Sequence, residues 1–286
     1  YANWVDVLYS YQIRHESKIK IKLRNGASLN VPREMVYFIK ELNRVNKLQN
    51  GFNFVFSDQI LAFPYSNKIV KMKFYKDGKF NGEFSAFLGD YNFLEPIKGN
   101  TVIDIGANIA DSSVWFAIED ASIVIGLEPY KWSYSMAVEN IKINNLEDRI
   151  VLLNAGYGPD GTIEIEDKIT NVGTELKEFK GGIKTPLLTL KTILNNYSEL
   201  INGELLLKMD CEGCEYNILT EEENVLKRFK RILIEYHYGY ENIKNKLEKN
   251  GFEVKYTEPH KWYDKGSARN LIQGYIYARR IGSNQI

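Results

Sequence analysis

Cysteine is almost absent from this 286-residue sequence: Cys211 and Cys214 are the only two. That is too few for a disulfide framework in a chain of this size. Histidine is nearly as scarce, and His15, His237 and His260 offer no spacing that would complete a structural zinc site with the two thiols. Charge of one sign is also missing. Lys plus Arg and Asp plus Glu both number 37, so no global field draws the chain to nucleic acid. No apolar run approaches the roughly 20 residues that span a bilayer, and the first residues lack the basic and apolar segments of a secretory leader. The expectation is a cytoplasmic protein without a membrane span. There is neither an internal repeat nor a low-complexity linker.

What is present divides near residue 95. Residues 1–95 read as an N-terminal α+β accessory region, and residues 96–286 as the main domain. From Lys18 to Leu23 charged and apolar residues alternate, as in a half-exposed strand, and Asn25-Gly26 reads as a hairpin turn. Pro32 to Leu42 has helical spacing, short aromatic strands are expected at 52–56 and 69–75, and turns at 77–78 and 81–82. This part carries no chemistry-bearing motif, so it is expected to shape an acceptor site or a homo-oligomer contact.

After Thr101 the rhythm changes to apolar strands alternating with helices. Strands are expected at 101–105, 122–127, 149–153, 204–209 and 231–235, with helices from 111, over 131–144, near 214–227 and over 241–249. That alternation predicts an α/β fold with a mostly parallel sheet covered on both faces. Residues 251–256 and 271–277 leave no room for a crossover helix between them, so they are expected to close the sheet as an antiparallel hairpin.

Ligands bind such sheets where strands end and helices begin. The first strand runs into Gly106 and a helix start, in TVIDIGANIADSS over 101–113. A dinucleotide fingerprint would place glycines at 106, 108 and 111, but the chain has Gly106, Asn108 and Asp111. An acidic side chain where a pyrophosphate should approach favours a ligand without phosphate, such as S-adenosylmethionine. Its amino-acid end is expected near Asp104, Gly106 and Asn108. Glu128 ends the second strand and is expected on the ribose hydroxyls. Asn154 and Ala155 end the third, at the level of an adenine ring, although Asn154 is equally well read as a turn residue.

The run KMDCEGCE over 208–215 crowds three carboxylates beside the expected methyl donor. Asp210 is the first choice for orienting or deprotonating an acceptor, and Glu212 for binding the acceptor or the cofactor's ammonium. Glu215 reads as capping or facing the next helix. Glu235 and His237, two apart at the end of the fifth strand, are expected on one face, with His237 as a general base titrating near neutrality. Asp210, Glu212, Glu235 and His237 have residue types that can gather a divalent cation, but no metal is assigned. A redox role for Cys211 and Cys214 is disfavoured. Residues 169–185, with Gly173, Gly181 and Gly182, read as a mobile lid.

The pieces VIDIGANI, LEPY and LKMDCEGCE, in that order, resemble the FkbM family of methyltransferases. The resemblance covers about 101 to 256 and departs from the family at Ala110, where glycine is usual, and at Cys211 and Cys214. It implies a class I methyltransferase (Rossmann-like) fold, S-adenosylmethionine as cofactor, and O-methylation of a sugar, glycan or secondary metabolite. Two alternatives stay open: an RNA methyltransferase using Lys180, Lys184 and Lys191, disfavoured by the neutral charge, and a non-catalytic protein that keeps the fold for interaction.

Overall fold

A computed structural model describes residues 2–22, 26, 28–33, 36, 55–57, 60–66, 68–73, 86–168, 174–264 and 269–282. The turns at 77–78 and 81–82, most of the expected helix over 32–42, and parts of the turn at 25–26, of the strands at 52–56 and 69–75 and of the lid over 169–185 fall outside the described residues.

The large sheet forms from runs that are mostly apolar. Strands β6 (Thr101–Ile105), β7 (Ile123–Leu127) and β12 (Leu205–Met209) are buried along their whole length. Successive strand residues point to opposite faces. Val102, Val124 and Leu206 therefore join one hydrophobic cluster, and Ile103, Ile125 and Leu207 the other. With β8 (Ile150–Leu153), β13 (Phe229–Tyr236), β14 (Phe252–Tyr256) and β16 (Arg269–Arg280), the order across the sheet is β14-β16-β13-β12-β6-β7-β8. The five strands from β8 to β13 are parallel to their neighbours. Strand β16 runs antiparallel to both β13 and β14, which is the closing hairpin expected from the sequence. Strand β15 (His260–Asp264) extends the hairpin by pairing with the start of β16.

A smaller sheet was not anticipated. Strands β9 (Gly156–Tyr157), β10 (Gly161–Ile165) and β11 (Ile183–Leu188) form it in the order β10-β11-β9. Its last strand takes up the end of the expected lid. The expected helix over 214–227 is a 3-10 turn, Cys214–Thr220, followed by a short helix, Glu223–Leu226.

The N-terminal region contributes the hairpin β1 (Lys18–Lys22) and β2 (Ser28–Pro32), and a meander of β3 (Val55–Ser57), β4 (Ile60–Tyr65) and β5 (Lys68–Lys73). The meander docks on the helices that cover β6 and β7. Backbone N–H groups of Lys71 and Lys73 donate to Asn144 and Asn140, the Trp115 indole donates to Tyr65, and Phe63 packs edge-on to Phe87. Leu61, Phe63, Val70 and Met72 share one cluster with Val114 and Trp115. No described helix is long and apolar enough to cross a membrane.

The departure at Ala110 has a backbone cause. Ala110 caps the helix Asp111–Ile118 with φ 67° and ψ 23°, a left-handed conformation in which a Cβ meets the next carbonyl at a cost of about 1–2 kcal/mol. Glycine is free of that cost. Ala110→Gly is therefore expected to raise the unfolding free energy by about 1 kcal/mol in urea melts, and a loss of stability would show that the methyl group's packing outweighs the strain.

Candidate active site

The candidate residues meet at the carboxyl edge of the sheet, and their arrangement starts from a buried lysine. Lys208 and Asp104 stand opposite each other on the paired strands β12 and β6, so their side chains share a face. The Lys208 ammonium lies 3.0 Å from Asp104 Oδ1 and donates to the Gly106 carbonyl at 2.8 Å. Asp104 Oδ2 accepts from the hydroxyls of Ser112 and Ser113 at 2.7 and 2.6 Å. Burial alone would lower the Lys208 pKa, but the carboxylates of Asp104, Asp210 and Asp111 reverse this and hold it above its ordinary value. Asp104, fully buried, is thus committed to tying β6, β12 and the helix start together and is not a ligand-facing group. Lys208 itself carried no role in the sequence reading.

Gly106 serves a different neighbour from the one expected. Its φ is +78°, and a Cβ there would lie 1.8 Å from the Asp210 carbonyl oxygen. The glycine lets the turn after β6 touch the turn after β12 directly. Asn108, also left-handed at φ 48°, donates its N–H to Glu128 Oε2 at 2.9 Å, and Tyr130 donates to Oε1 at 2.9 Å. Two backbone donors thus aim the Glu128 carboxylate, while burial pushes its pKa up to about 8. Burial likewise pushes Asp111, at the helix start, up to about 7.

Asn154 fills its turn reading: its amide donates to the carbonyls of Glu128 and Pro129 at 2.9 and 3.0 Å, which occupies the group expected to read an adenine edge. Ala155 stays in place as a wall. It lines an apolar cavity with Gly106, Leu127, Pro129, Tyr157, Leu176 and the two cysteines. A Cβ on Gly156 would come within 2.9 Å of Leu176, so the glycine admits that leucine to the cavity wall. Leu176 belongs to a strap held by its neighbour: Tyr130 donates to the Glu175 carbonyl at 2.9 Å, and Arg269 lies 3.7 Å from the Glu175 carboxylate.

The acidic motif brings Asp210, Glu212 and His237 together, with one ligand-type atom from each within 4.8 Å of the others. Glu215 holds the centre of this group. Fully buried, it accepts from the His237 backbone N–H at 3.0 Å and contacts its Nδ1 at 2.8 Å through Oε1, while Gly213 donates to Oε2 at 2.8 Å. On the other side His237 Nε2 lies 3.3 Å from Glu212 Oε1 in an ion-pair contact. Burial would lower the His237 pKa, but the two glutamates push it up to about 11. That corrects the expectation of a base poised near neutrality. Glu212 moves the other way: burial raises it, and His237 with Arg269 pull it below its ordinary value, Arg269 donating at 3.1 Å. Asp210 is raised by burial, against the pull of Lys208 and His237.

Two expectations about this motif change. The chain leaves β13 after Tyr236, so Glu235 and His237 do not share a strand face, and Glu235 instead accepts from Gln273. Cys211 and Cys214 are joined in a disulfide that bridges the motif's turn, against the reading that disfavoured a redox pair. Sequence reasoning also missed Glu215 as the histidine's partner and Arg269 altogether. The first was discoverable from a third carboxylate beside a glycine and a histidine at the next strand end.

A family model described as the methyltransferase FkbM domain matches residues 104–254, just over half of the chain. No curated protein matches it. Similar solved structures include an rRNA methylase from Streptococcus thermophilus, 10% identical with TM-score 0.42, covering 68% of this chain and 95% of that one. TYW2 of M. jannaschii in complex with AdoMet is 16% identical with TM-score 0.40, covering 79% and 89%. Precorrin 8w decarboxylase of Methanobacterium thermoautotrophicum is 12% identical with TM-score 0.39, covering 66% and 86%. At these scores the likenesses carry no argument, and the fold class stands on the strand order and the family match.

The Lys208–Asp104 pair yields a stability test. Lys208→Met leaves Asp104 buried without its cation, so the unfolding free energy should drop by about 3–5 kcal/mol, the scale for breaking one side of a buried ion pair. Chemical denaturation reads this directly, and a change below about 1 kcal/mol would mean that the pair does not organise the edge.

Proposed function

Because the chain belongs to the family of FkbM-domain methyltransferases, we propose that it methylates a hydroxyl of a sugar, glycan or secondary metabolite with S-adenosylmethionine as donor. The observation that carries this is the backbone contact between the Gly106 turn and Asp210, which sets the donor-side loop and the acidic motif side by side. The residues fit the cofactor in chemical character: the apolar side chains of Leu127, Pro129, Ala155 and Tyr157 suit a purine face, and a buried carboxylate at Glu128 suits the adjoining ribose. When bound, S-adenosylmethionine supplies an electrophilic methyl group on a sulfonium.

The chain's own residues do the rest. Glu128, pre-aimed by Asn108 and Tyr130, keeps lone pairs for the two ribose hydroxyls. Asp210 orients the acceptor hydroxyl and takes its proton, and holding that oxygen in line accounts for much of the rate. His237, held between Glu212 and Glu215, is a positioning residue beside Asp210. Arg269 steadies Glu212 from the closing hairpin.

Two measurements test this reading. If ribose binds the ionised Glu128, affinity for S-adenosylhomocysteine rises with pH as that carboxyl, held near 8, loses its proton. Calorimetry should show a gain of about tenfold from pH 7 to pH 9, and Glu128→Gln should remove the gradient and about 1–3 kcal/mol of binding. A pH-independent affinity in the wild type sinks the assignment. Asp210→Asn should leave that affinity within a few-fold while turnover falls by roughly 10²–10⁴. Parallel loss of binding and turnover would move Asp210 into the cofactor site.

A further inference from the structure

We propose that Asp210, Glu212 and His237 form a binding site for one divalent transition-series cation, with Mn²⁺ and Zn²⁺ as the matching class. The three side chains come from two strand ends, after β12 and after β13, and converge with one carboxylate oxygen each from Asp210 and Glu212 and one imidazole nitrogen within 4.8 Å of one another. Ligand atoms about 2.0–2.2 Å from a common ion stand at most about 4.4 Å apart, so side-chain adjustments of a few tenths of an ångström bring all three into range.

The independent observation is the histidine's own wiring. His237 is 1% exposed, and its Nε2 is fully buried with no hydrogen-bond partner. That nitrogen faces Glu212 Oε1 at 3.3 Å. Its other nitrogen, Nδ1, is fixed at 2.8 Å by Glu215, which also accepts the His237 backbone N–H and is itself held by the Gly213 N–H. A carboxylate on one imidazole nitrogen, with the other turned toward further carboxylates, is the arrangement that orients a metal-ligating histidine. An unpaired buried nitrogen is costly, and a cation between it and two carboxylates satisfies all three groups.

The ligand set also selects the ion. One imidazole with two carboxylates suits Mn²⁺, Fe²⁺ or Zn²⁺ better than the all-oxygen ions Ca²⁺ and Mg²⁺. Arg269 occupies only Glu212 Oε2, which leaves Oε1 for the ion. Three protein ligands leave coordination positions open, as in catalytic sites. The binding site stands on geometry alone. Assigning an open position to the acceptor hydroxyl rests on the methyltransferase reading, with Asp210 ligating through one oxygen and keeping the other for the hydroxyl's proton.

The test is direct metal binding by the full chain, stripped with chelator and titrated with MnCl₂ and, separately, ZnCl₂. Calorimetry and elemental analysis are expected to give about one equivalent of either ion, and the bound Mn²⁺ to lose its free-ion paramagnetic resonance signal. His237→Gln and the isosteric Asp210→Asn should each weaken binding at least tenfold. Glu215→Gln, which only releases the imidazole, should weaken it about 10–100-fold. Glu222→Gln, on an exposed acid paired with Lys191, should change nothing. Absence of saturable binding by the wild-type chain overturns the proposal, as does binding that survives both His237→Gln and Asp210→Asn unchanged. S-adenosylhomocysteine titrations on the same samples separate the two readings. Metal bound without the nucleoside leaves the site and removes the methyltransferase assignment; nucleoside bound without metal does the reverse.

Discussion

The buried contact between Lys208 and Asp104 is the constraint on which the rest of the edge depends. It joins opposite residues of neighbouring parallel strands, so strand register alone brings them together. Through its second carboxylate oxygen Asp104 anchors the serines at the helix start, and through its second contact Lys208 holds the Gly106 carbonyl. The turn after β6 is thereby locked before any ligand is considered. That lock sets where Asn108 presents its N–H to Glu128 and where Asp210 can lie against Gly106. An ion pair removed from water adds little net stability, yet it penalises every arrangement that separates its members. Here it specifies one geometry for three successive strand ends.

What could be read in the sequence follows from how each element is stabilised. Strands buried on both faces are near-continuous apolar runs, so β6, β7, β12 and β13 stand out in the sequence and their ends locate Glu128 and Asp210. The closing hairpin was legible because chain length alone forbade a crossover helix. The small sheet was not. β9 has two residues, and β11 carries Pro186 within a stretch whose preceding glycines suggest a loop. Its pairing rests on tertiary contacts that local pattern does not encode.

Side-chain roles were less legible than positions. Asp104 and Asn154 sit where a ligand group was expected, but their partners are backbone, hydroxyls and an ammonium. Charge type gave the right neighbourhood and the wrong partner, because a polar group at a strand end meets its own chain first. His237 shows the same limit. Its near-neutral titration belongs to a solvated imidazole, and two glutamates close to it change its chemistry. Arg269 was invisible because it reaches Glu212 from 57 positions away, through a hairpin whose register sequence alone does not define.

The segment from Lys208 to Glu215 spends almost every residue on a separate contact: strand ion pair, turn, bridge, carboxylate, left-handed glycine, bridge, carboxylate. Its length is therefore inelastic. Exchanges of side chain at the two bridging positions leave the path intact, whereas inserting or deleting one residue would rotate Glu215 away from the imidazole it holds. This stretch can therefore change in letters but not in length.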